Sequence, residues 1–440
     1  MHTRRSLCAA ALLIATAVAG SRAQAESKAY TLNDCLRLAM KQSPDLVKAK
    51  SNLTYSGAAL QSAVSGMLPH LSVSSNYGLS RSDVGLTGLG GGPAAGTAER
   101  YDTSYATRIT VSQTLVNLPV WARIGEAAYS RSAAGAAYDL ARSGLAYRVK
   151  QSYYGLVKLQ KALEVAQAAV SQSEEQSKRA RLMTQLGSMS RADLLKVEVR
   201  LTQSKVDLLN ARNAFLSGQQ SLAVLLGLSD TVTVVTDLPM PDTLALRAAI
   251  DSLYRLANSR NPNFRAARSS YRSAALGAWS SWTSKLPSLS ASYSYGYSDN
   301  RQFSTARDWN NHDSWNMSLA LNWNVFDGLA AEAAIRRAYA QKRAAEADLF
   351  TARQGVHNDI QQAYLGLQST REGLGLVADL QQQSEEDYRL TSEKYKLGSA
   401  SVLDLLTSQV SYNQARQTAV ITLCDYYLAE AKLRQALGEW

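Results

Sequence analysis

The residues that could perform chemistry are few in this chain, and their spacing matches no catalytic or metal-binding pattern. Of the 4 histidines, no two stand three or four positions apart, as a helical metal-binding pair would. No Gly-x-Ser-x-Gly segment provides a serine nucleophile, and the stretch GLGGGPAAGT lacks the lysine of a phosphate-binding loop. We therefore expect no enzymatic activity, no catalytic residue, no cofactor and no metal site.

Two cysteines follow the N-terminal segment, Cys35 and Cys424. A fold that depends on disulfides would need many more in a chain of 440 residues, so packing must stabilise this one. Two interpretations stay open for the pair, namely a single bridge or two buried and inert thiols.

The N-terminus predicts export. Arg4 and Arg5 precede the apolar stretch LCAAALLIATAVAG, and Ala23 and Ala25 have the spacing of a signal cleavage site. We interpret residues 1–25 as a secretory signal. No later stretch of about 18 or more residues is apolar and uncharged, so a segment within a bilayer would have to be a closed β-barrel.

The chain is basic, with a formal net charge of +11. The predicted signal carries three of these charges, which leaves 11 − 3 = 8 on the rest. A nucleic-acid partner is one explanation, but Lys and Arg are mixed with Glu and Gln along helical stretches such as QSEEQSKRARL. This mixture favours solvated helix faces, and we expect no nucleic-acid binding.

The sequence contains two copies of one plan. Residues 186–195 read LGSMSRADLL and residues 397–406 read LGSASVLDLL, which agree at seven of ten positions with an offset of 397 − 186 = 211. Residues 34–80 also match 252–298 without a gap. Two copies of this length indicate an internal duplication and not a solenoid. The predicted first repeat, linker and second repeat span residues 26–229, 230–245 and 246–440.

Each repeat contains two runs that alternate between apolar and polar residues, as strands do. The predicted strands span about 70–81 and 105–116 in the first repeat, and about 288–298 and 315–326 in the second. Serine, asparagine and glycine on one face suit a water-filled interior, and aromatic residues on the other suit lipid, although a soluble sheet covering a core is an alternative. The candidate membrane-interface aromatics are Tyr77, Tyr105, Tyr293, Tyr295, Tyr297, Trp315 and Trp323.

The remaining pattern is helical. From about Pro119 to Leu182, apolar residues such as Leu145, Val149 and Leu156 recur at spacings of three and four, and the second repeat does the same. A helix of about 65 residues reaches on the order of 95–100 Å, which exceeds a globular domain and indicates coiled-coil packing. Shorter helices are expected beside each long one, at about 191–226 and 402–437, and at about 45–66 and 263–284.

Each long helix must reverse at one of the repeated blocks, which places tips at about 184–192 and 395–403. A helical hairpin explains the glycines and serines of these blocks completely, as chain reversals and N-caps. It explains the aspartates Asp193 and Asp404 only in part, through the helix dipole.

Four strands cannot close a barrel, because the smallest membrane barrels need about eight. A chain with four strands facing lipid must therefore oligomerise, and its helices would continue the tube away from the membrane. The predicted product is a pore with a periplasmic extension.

These features together resemble the TolC family of outer-membrane efflux channels. The resemblance rests on the duplicated plan, on Leu-Pro before each first strand, on Val325-Phe326-Asp327-Gly328 after the last strand, and on the paired Gly-Ser-x-Ser-x-x-Asp-Leu-Leu blocks. It covers essentially the whole chain after the signal.

The resemblance implies a mainly α fold with a membrane β-barrel contribution, assembled as a homotrimer with a 12-stranded barrel and a periplasmic α-helical barrel. It implies an exit duct of a tripartite efflux or type I secretion system in the outer membrane of a Gram-negative bacterium. The expected partners are a periplasmic adaptor, an inner-membrane pump and outer-membrane lipid, and the cargo is set by the pump.

The resemblance also assigns roles at the tips. Asp404 matches the aspartate that narrows the closed entrance, and Asp193 and Tyr395 match residues that tie the tip helices together. Ala400 and Thr407 replace an arginine and a second aspartate of the closing network, so a latch that is weaker or differently wired is expected. The adaptor-docking residues are expected to be Leu186, Gly187, Ser188, Leu397, Gly398 and Ser399.

A different class of protein stays possible on the residues alone. A periplasmic coiled-coil scaffold without a pore would have the same helices, with the sheet packed internally. Such a scaffold gives no reason for Tyr and Trp to alternate with Ser and Asn on four similar runs.

Overall fold

The computed structural model describes residues 29–85, 97–229, 231–236, 239, 250–301, 309 and 312–439. The predicted signal, most of the glycine-rich stretch that was compared with a phosphate loop, and much of the predicted linker lie outside these residues. None of the helices in the described part combines the length and the apolar character that crossing a membrane requires.

Both repeats fold into the same series of elements. In the first repeat these are β1 (Ala29–Tyr30), α1 (Leu32–Gln42), α2 (Pro44–Ser65), β2 (His70–Gly85), β3 (Thr97–Val116), α3 (Leu118–Gln185) and α4 (Arg191–Leu226). In the second they are β4 (Thr233–Val234), α5 (Ile250–Arg260), α6 (Pro262–Thr283), β5 (Ser288–Asp299), β6 (Asp313–Asn322), α7 (Ala330–Lys396) and α8 (Val402–Leu437). The long helices have 68 and 67 residues, and the helices that follow them have 36 each, so the duplication extends to the element lengths.

The chain divides into two compact units. Among the described residues, one unit comprises those that fall within 29–48, 139–261 and 355–439, and the other comprises those within 49–138 and 262–354. The second unit holds a four-stranded antiparallel sheet in the order β2–β3–β5–β6, so that β2 and β6 form its edges. Directly paired residues such as Tyr77 and Tyr105 lie on one face, which keeps the apolar and polar faces separate across the sheet.

The predicted strand limits were wrong at two places. The first hairpin extends beyond its predicted limits, to Gly85 in β2 and from Thr97 in β3, because backbone pairing continues past the alternating stretch. An ion pair of 2.5 Å between Arg81 and Glu99 joins the strands in this part. The last strand ends at Asn322 and not near 326, because its partner begins at Ser288 and the preceding Pro287 has no N–H to extend the ladder.

The helical unit is packed along the predicted apolar seams. Leu145, Val149 and Leu156 of α3 are at most 1% exposed, and so are Ile360 and Leu367 of α7. Burying such side chains contributes about 1.5–3 kcal/mol each, so these seams provide much of the stability of the unit.

The predicted linker contains structure that the sequence pattern did not reveal. Its Thr233–Val234 segment forms β4 and pairs in parallel with Ala29–Tyr30. The Tyr153 hydroxyl of α3 donates to the Val235 carbonyl at 2.8 Å, which fixes this pair to the long helix. Residues 231–236 therefore belong to the packed unit, because the alternation of Val232 and Val234 gives them buried side chains.

Candidate functional site

The first helical reversal depends on a left-handed glycine. Gly187, two residues after the end of α3, has a φ of 74°, a conformation that glycine adopts at little cost. Its N–H donates to the Thr184 carbonyl at 3.1 Å, and the Ser188 N–H donates to the Met183 carbonyl at 2.9 Å. These bonds satisfy carbonyls that the end of a helix would otherwise leave unpaired.

The second reversal repeats this geometry. Gly398 has a φ of 75°, and its N–H donates to the Tyr395 carbonyl at 3.1 Å. The Ser399 N–H donates to the Lys394 carbonyl at 2.9 Å. The leucine before each glycine is strongly exposed, at 81% for Leu186 and 83% for Leu397, so both turns present an apolar side chain at the surface.

Asp404 lies at the third position of α8 and completes its N-cap. The Ser401 hydroxyl and backbone N–H donate to its carboxylate at 2.7 and 3.0 Å, while the Asp404 N–H donates to the Ser401 hydroxyl at 3.1 Å. This reciprocal arrangement is a capping box. The bond from the Ser401 hydroxyl, followed by the bond from its backbone, holds the pKa of Asp404 below its ordinary value.

Asp193 occupies the equivalent position in α4 but has an additional partner. The Lys196 ammonium donates to one carboxylate oxygen at 2.9 Å and the Ser190 hydroxyl to the other at 2.8 Å. These two bonds, the one from Lys196 being the stronger cause, lower the pKa of Asp193. Both aspartates therefore stabilise the first turn of their helices through hydrogen bonds, and not only through the helix dipole that the sequence suggested.

The two turns face one groove. Side chains from both repeats line it, including Met183, Asp193, Lys196, Tyr395 and Ala400. Burial, and then the charge of Asp193, raise the pKa of Tyr395. Within the described residues, no hydrogen bond joins Tyr395 to Asp193, whose carboxylate is bound by Ser190 and Lys196 instead.

A cluster of polar side chains, which we did not predict from the sequence, joins three helices about two to three turns away from this groove. It comprises Gln172 and Gln176 of α3, Tyr388 of α7 and Gln409 of α8. Gln409 is fully buried and donates to Gln172 at 2.9 Å, while Gln176 donates to Gln409 at 2.9 Å. Gln172 in turn donates to the hydroxyl of Tyr388. We call these four residues the amide cluster.

A signal for the amide cluster was present in the sequence. Gln409 falls four positions after Leu405 and three before Tyr412, which is the spacing of a buried seam. A polar residue in a seam requires partners, because an unsatisfied buried amide costs about 1–3 kcal/mol. The ring of Tyr412 stacks on that of Tyr388, with centroids 5.5 Å apart, which closes the cluster on one side.

Most of the predicted interface aromatics lie on the apolar face of the sheet. Tyr77 and Tyr105 are paired in register, and Tyr295 is paired with Trp315. Trp315 and its neighbours on β6, Met317, Leu319 and Leu321, are 68–73% exposed. A soluble sheet would bury such a face, so the exposed face requires an apolar partner outside the chain.

Tyr297 differs from the expectation. Tyr297 is 3% exposed, since the ring of Trp309 covers it and its hydroxyl donates to the Arg301 carbonyl at 2.6 Å. Trp323 lies just beyond β6, where its indole N–H donates to the Lys285 carbonyl at 3.1 Å. Trp323 is exposed there, and its role as an interface aromatic stays a prediction.

The cysteines form no bridge, which decides between the two alternatives. Cys35 and Cys424 are free and buried. Burial raises the pKa of each thiol to about 11, so both remain protonated near neutral pH.

A duplicated chain whose sheet exposes an apolar face, and whose long helices reverse at paired turns, defines a subunit of a membrane duct. The sequence matches the family described as outer membrane efflux protein over residues 35–228 and 253–439. The chain belongs to this family, and it is an outer-membrane efflux channel of the kind that serves tripartite systems.

Known relatives and solved structures match this chain over nearly their whole length. Outer membrane protein TolC of Vibrio cholerae serotype O1 is 21% identical over 412 residues, covering 93% of this chain and 91% of TolC. A membrane protein from Pseudomonas aeruginosa superposes with a TM-score of 0.81 at 18% identity, over 93% of this chain and 90% of that one. The outer membrane protein VceC of Vibrio cholerae superposes with a TM-score of 0.78 at 17% identity, over 93% and 96%. The mainly α fold with a membrane sheet is thereby confirmed.

Proposed function

We propose that three copies of this chain assemble into one channel, in which their sheets close a barrel of 12 strands. The observation that carries the proposal is a sheet of four strands with two open edges and an exposed apolar face. In lipid every backbone N–H and C=O needs a partner, so the edges β2 and β6 must pair with other copies. Four strands from each of three copies exceed the minimum of about eight for a closed barrel.

The helices support the same assembly. Exposed apolar residues recur along α4 at spacings of four, seven, three and seven, which is a coiled-coil seam that the described part of the chain leaves uncovered. They are Leu195, Val199, Val206, Leu209 and Leu216. Helix α7 also exposes leucines, at 365, 376, 380 and 390.

The duplication identifies the partners of these seams. Within the chain, α3 packs against α8 through the ion pair of Lys158 with Asp425 and the stacked rings of Tyr154 and Tyr427, 5.4 Å apart. The repeat equivalent of α3 is α7, and that of α8 is α4. Packing α7 of one copy against α4 of the next therefore repeats an interface that the chain already makes.

Within this assembly the paired turns serve as the site for an adaptor. Leu186 and Leu397 are apolar and almost fully exposed, and each is held rigidly by the glycine turn that follows it. The serines Ser188 and Ser399 add polar groups beside them. A periplasmic adaptor coupled to an inner-membrane pump fits this surface, since exposed apolar residues on a rigid turn favour protein docking.

The entrance of the channel is formed near the same turns. We assign the constriction to Asp404, with Asp193 and Tyr395 as supporting residues. Three symmetry-related carboxylates, which are ionised at neutral pH, would select cations. Asp404→Ala should reduce cation selectivity and block by multivalent cations in single-channel recordings, and unchanged values would reject the assignment.

The assembly is tested by extracting the protein from outer membranes and running it on a denaturing gel with and without heating. We expect a trimer that dissociates on heating, and single-channel activity from the same fraction in planar bilayers. A monomeric protein in the soluble periplasmic fraction would support the scaffold without a pore instead.

A further inference from the structure

Between the row of His70 and the row of Gly78, the polar face of the sheet carries mainly uncharged side chains. Strand register places rows of hydroxyl and amide side chains across β2, β3, β5 and β6. One row, for example, contains Ser72, Thr110, Ser294 and Asn316. A surface of this kind suits water and gives little preference for either sign of charge.

Arg108 interrupts this surface. It lies in the row that contains Ser74, Gly296 and Ser314. Between the row of His70 and the row of Gly78, Arg108 is the only charged residue among the described positions of this face. Its side chain is exposed, so its charge acts on the space in front of the sheet.

Gly296 allows the strands to approach closely beside this arginine. A Cβ atom at position 296 would lie 2.8 Å from the Cα of Arg108 and 2.3 Å from the carbonyl oxygen of Thr107. The guanidinium extends over β5, where Nη1 donates to the Ser294 hydroxyl at 3.4 Å. A guanidinium has five N–H donors, and this contact uses one of them. The exposed group can therefore bind a carboxylate or phosphate without leaving its position.

We propose that Arg108 is a specificity-determining residue of the channel, which contacts anionic groups of the cargo as they pass the barrel. The inference rests on the proposed assembly, in which the polar faces of three sheets surround one lumen and three copies of Arg108 form a basic ring. This ring would attract anions, whereas a ring of Asp404 carboxylates would attract cations. Cargo molecules that carry a carboxylate, sulfonate or phosphate would be attracted at the ring.

The test is the ion selectivity of the purified full chain in planar lipid bilayers under a KCl gradient. Arg108→Gln should shift the permeability ratio of K⁺ over Cl⁻ toward K⁺ by about two-fold, and Arg108→Glu should shift it further, because an exposed charge acts through a high dielectric in a wide pore. Arg108→Lys should keep the native ratio. The shift should shrink in about 1 M salt, where the screening length falls to about 3 Å.

Arg81→Gln is the matched control. Arg81 belongs to the same sheet but lies on the opposite face from Arg108, the face of Tyr77 and Tyr105, where it pairs with Glu99. Its replacement should leave the permeability ratio unchanged. If Arg108→Gln and Arg108→Glu form channels with the native ratio, the inference is wrong. Absence of channels from the native chain would instead reject the proposed assembly.

Discussion

The amide cluster should stabilise the helices next to the paired turns, and replacing Gln409 with alanine tests this. The substitution removes the hydrogen bonds from Gln409 to Gln172 and from Gln176 to Gln409, each 2.9 Å long. A typical bond contributes about 1 kcal/mol, and a buried partner left unsatisfied costs about 1–3 kcal/mol. We therefore expect local destabilisation of about 2–4 kcal/mol at the start of α8.

Hydrogen exchange measures this effect where it arises. Amides of α8 between about 404 and 415 should exchange at least about 30-fold faster in Gln409→Ala, since 1.4 kcal/mol corresponds to a factor of ten. Gln414→Ala is the matched control, because it removes an exposed glutamine from the same helix. Equal exchange in the two variants would refute the view that the amide cluster holds α3 and α8 together.

Three further predictions concern the turns. Ser401→Ala removes the capping box of α8 and should cost about 1 kcal/mol, measured as faster exchange in its first turn; no change there would contradict the capping role. Because the folded pKa of Asp404 lies below its unfolded value, its contribution to stability is present above the unfolded pKa of about 3.9 and is lost as pH falls through the folded pKa. The thermal midpoint of Asp404→Asn should therefore fall less on acidification than that of the native protein, and parallel curves would count against it. Gly398→Pro or Gly187→Pro cannot adopt the observed φ near 75° and should abolish adaptor binding in a pull-down while trimers persist; loss of the trimer itself would contradict the assignment of these turns to docking.

The sequence predicted the elements that depend on repeated local patterns. Alternation located the four strands, and spacings of three and four located the long helices, because burial on one face leaves a periodic signal. The glycines of the turns were predictable since each must adopt a left-handed conformation. The 36-residue helices α4 and α8 begin and end where the sequence placed them.

Features that depend on distant partners were not predictable. The pairing of β1 with β4 joins residues about 200 positions apart through two residues each, which is too short for periodicity to detect. The outer ends of β2 and β3 are held by backbone pairing and by the ion pair of Arg81 with Glu99, neither of which requires alternation. Gln409 required knowledge of the amides on α3, and the burial of Tyr297 required the position of Trp309.

The interface between copies gives the most direct test of the proposed assembly. The offset of 211 that relates the helices converts the stacked pair of Tyr154 and Tyr427 into Leu365 and Leu216, both exposed at 53% and 49% in the single chain. In a trimer, Leu365 of one copy should therefore contact Leu216 of the next.

The measurement is oxidative crosslinking in outer membranes of the variant Leu365→Cys/Leu216→Cys, with each single substitution as control. The native thiols Cys35 and Cys424 are buried and should not interfere. The proposed assembly predicts covalent dimers and trimers on a non-reducing gel from the double variant and much less from either single variant. Exclusively monomeric protein from the double variant would contradict it.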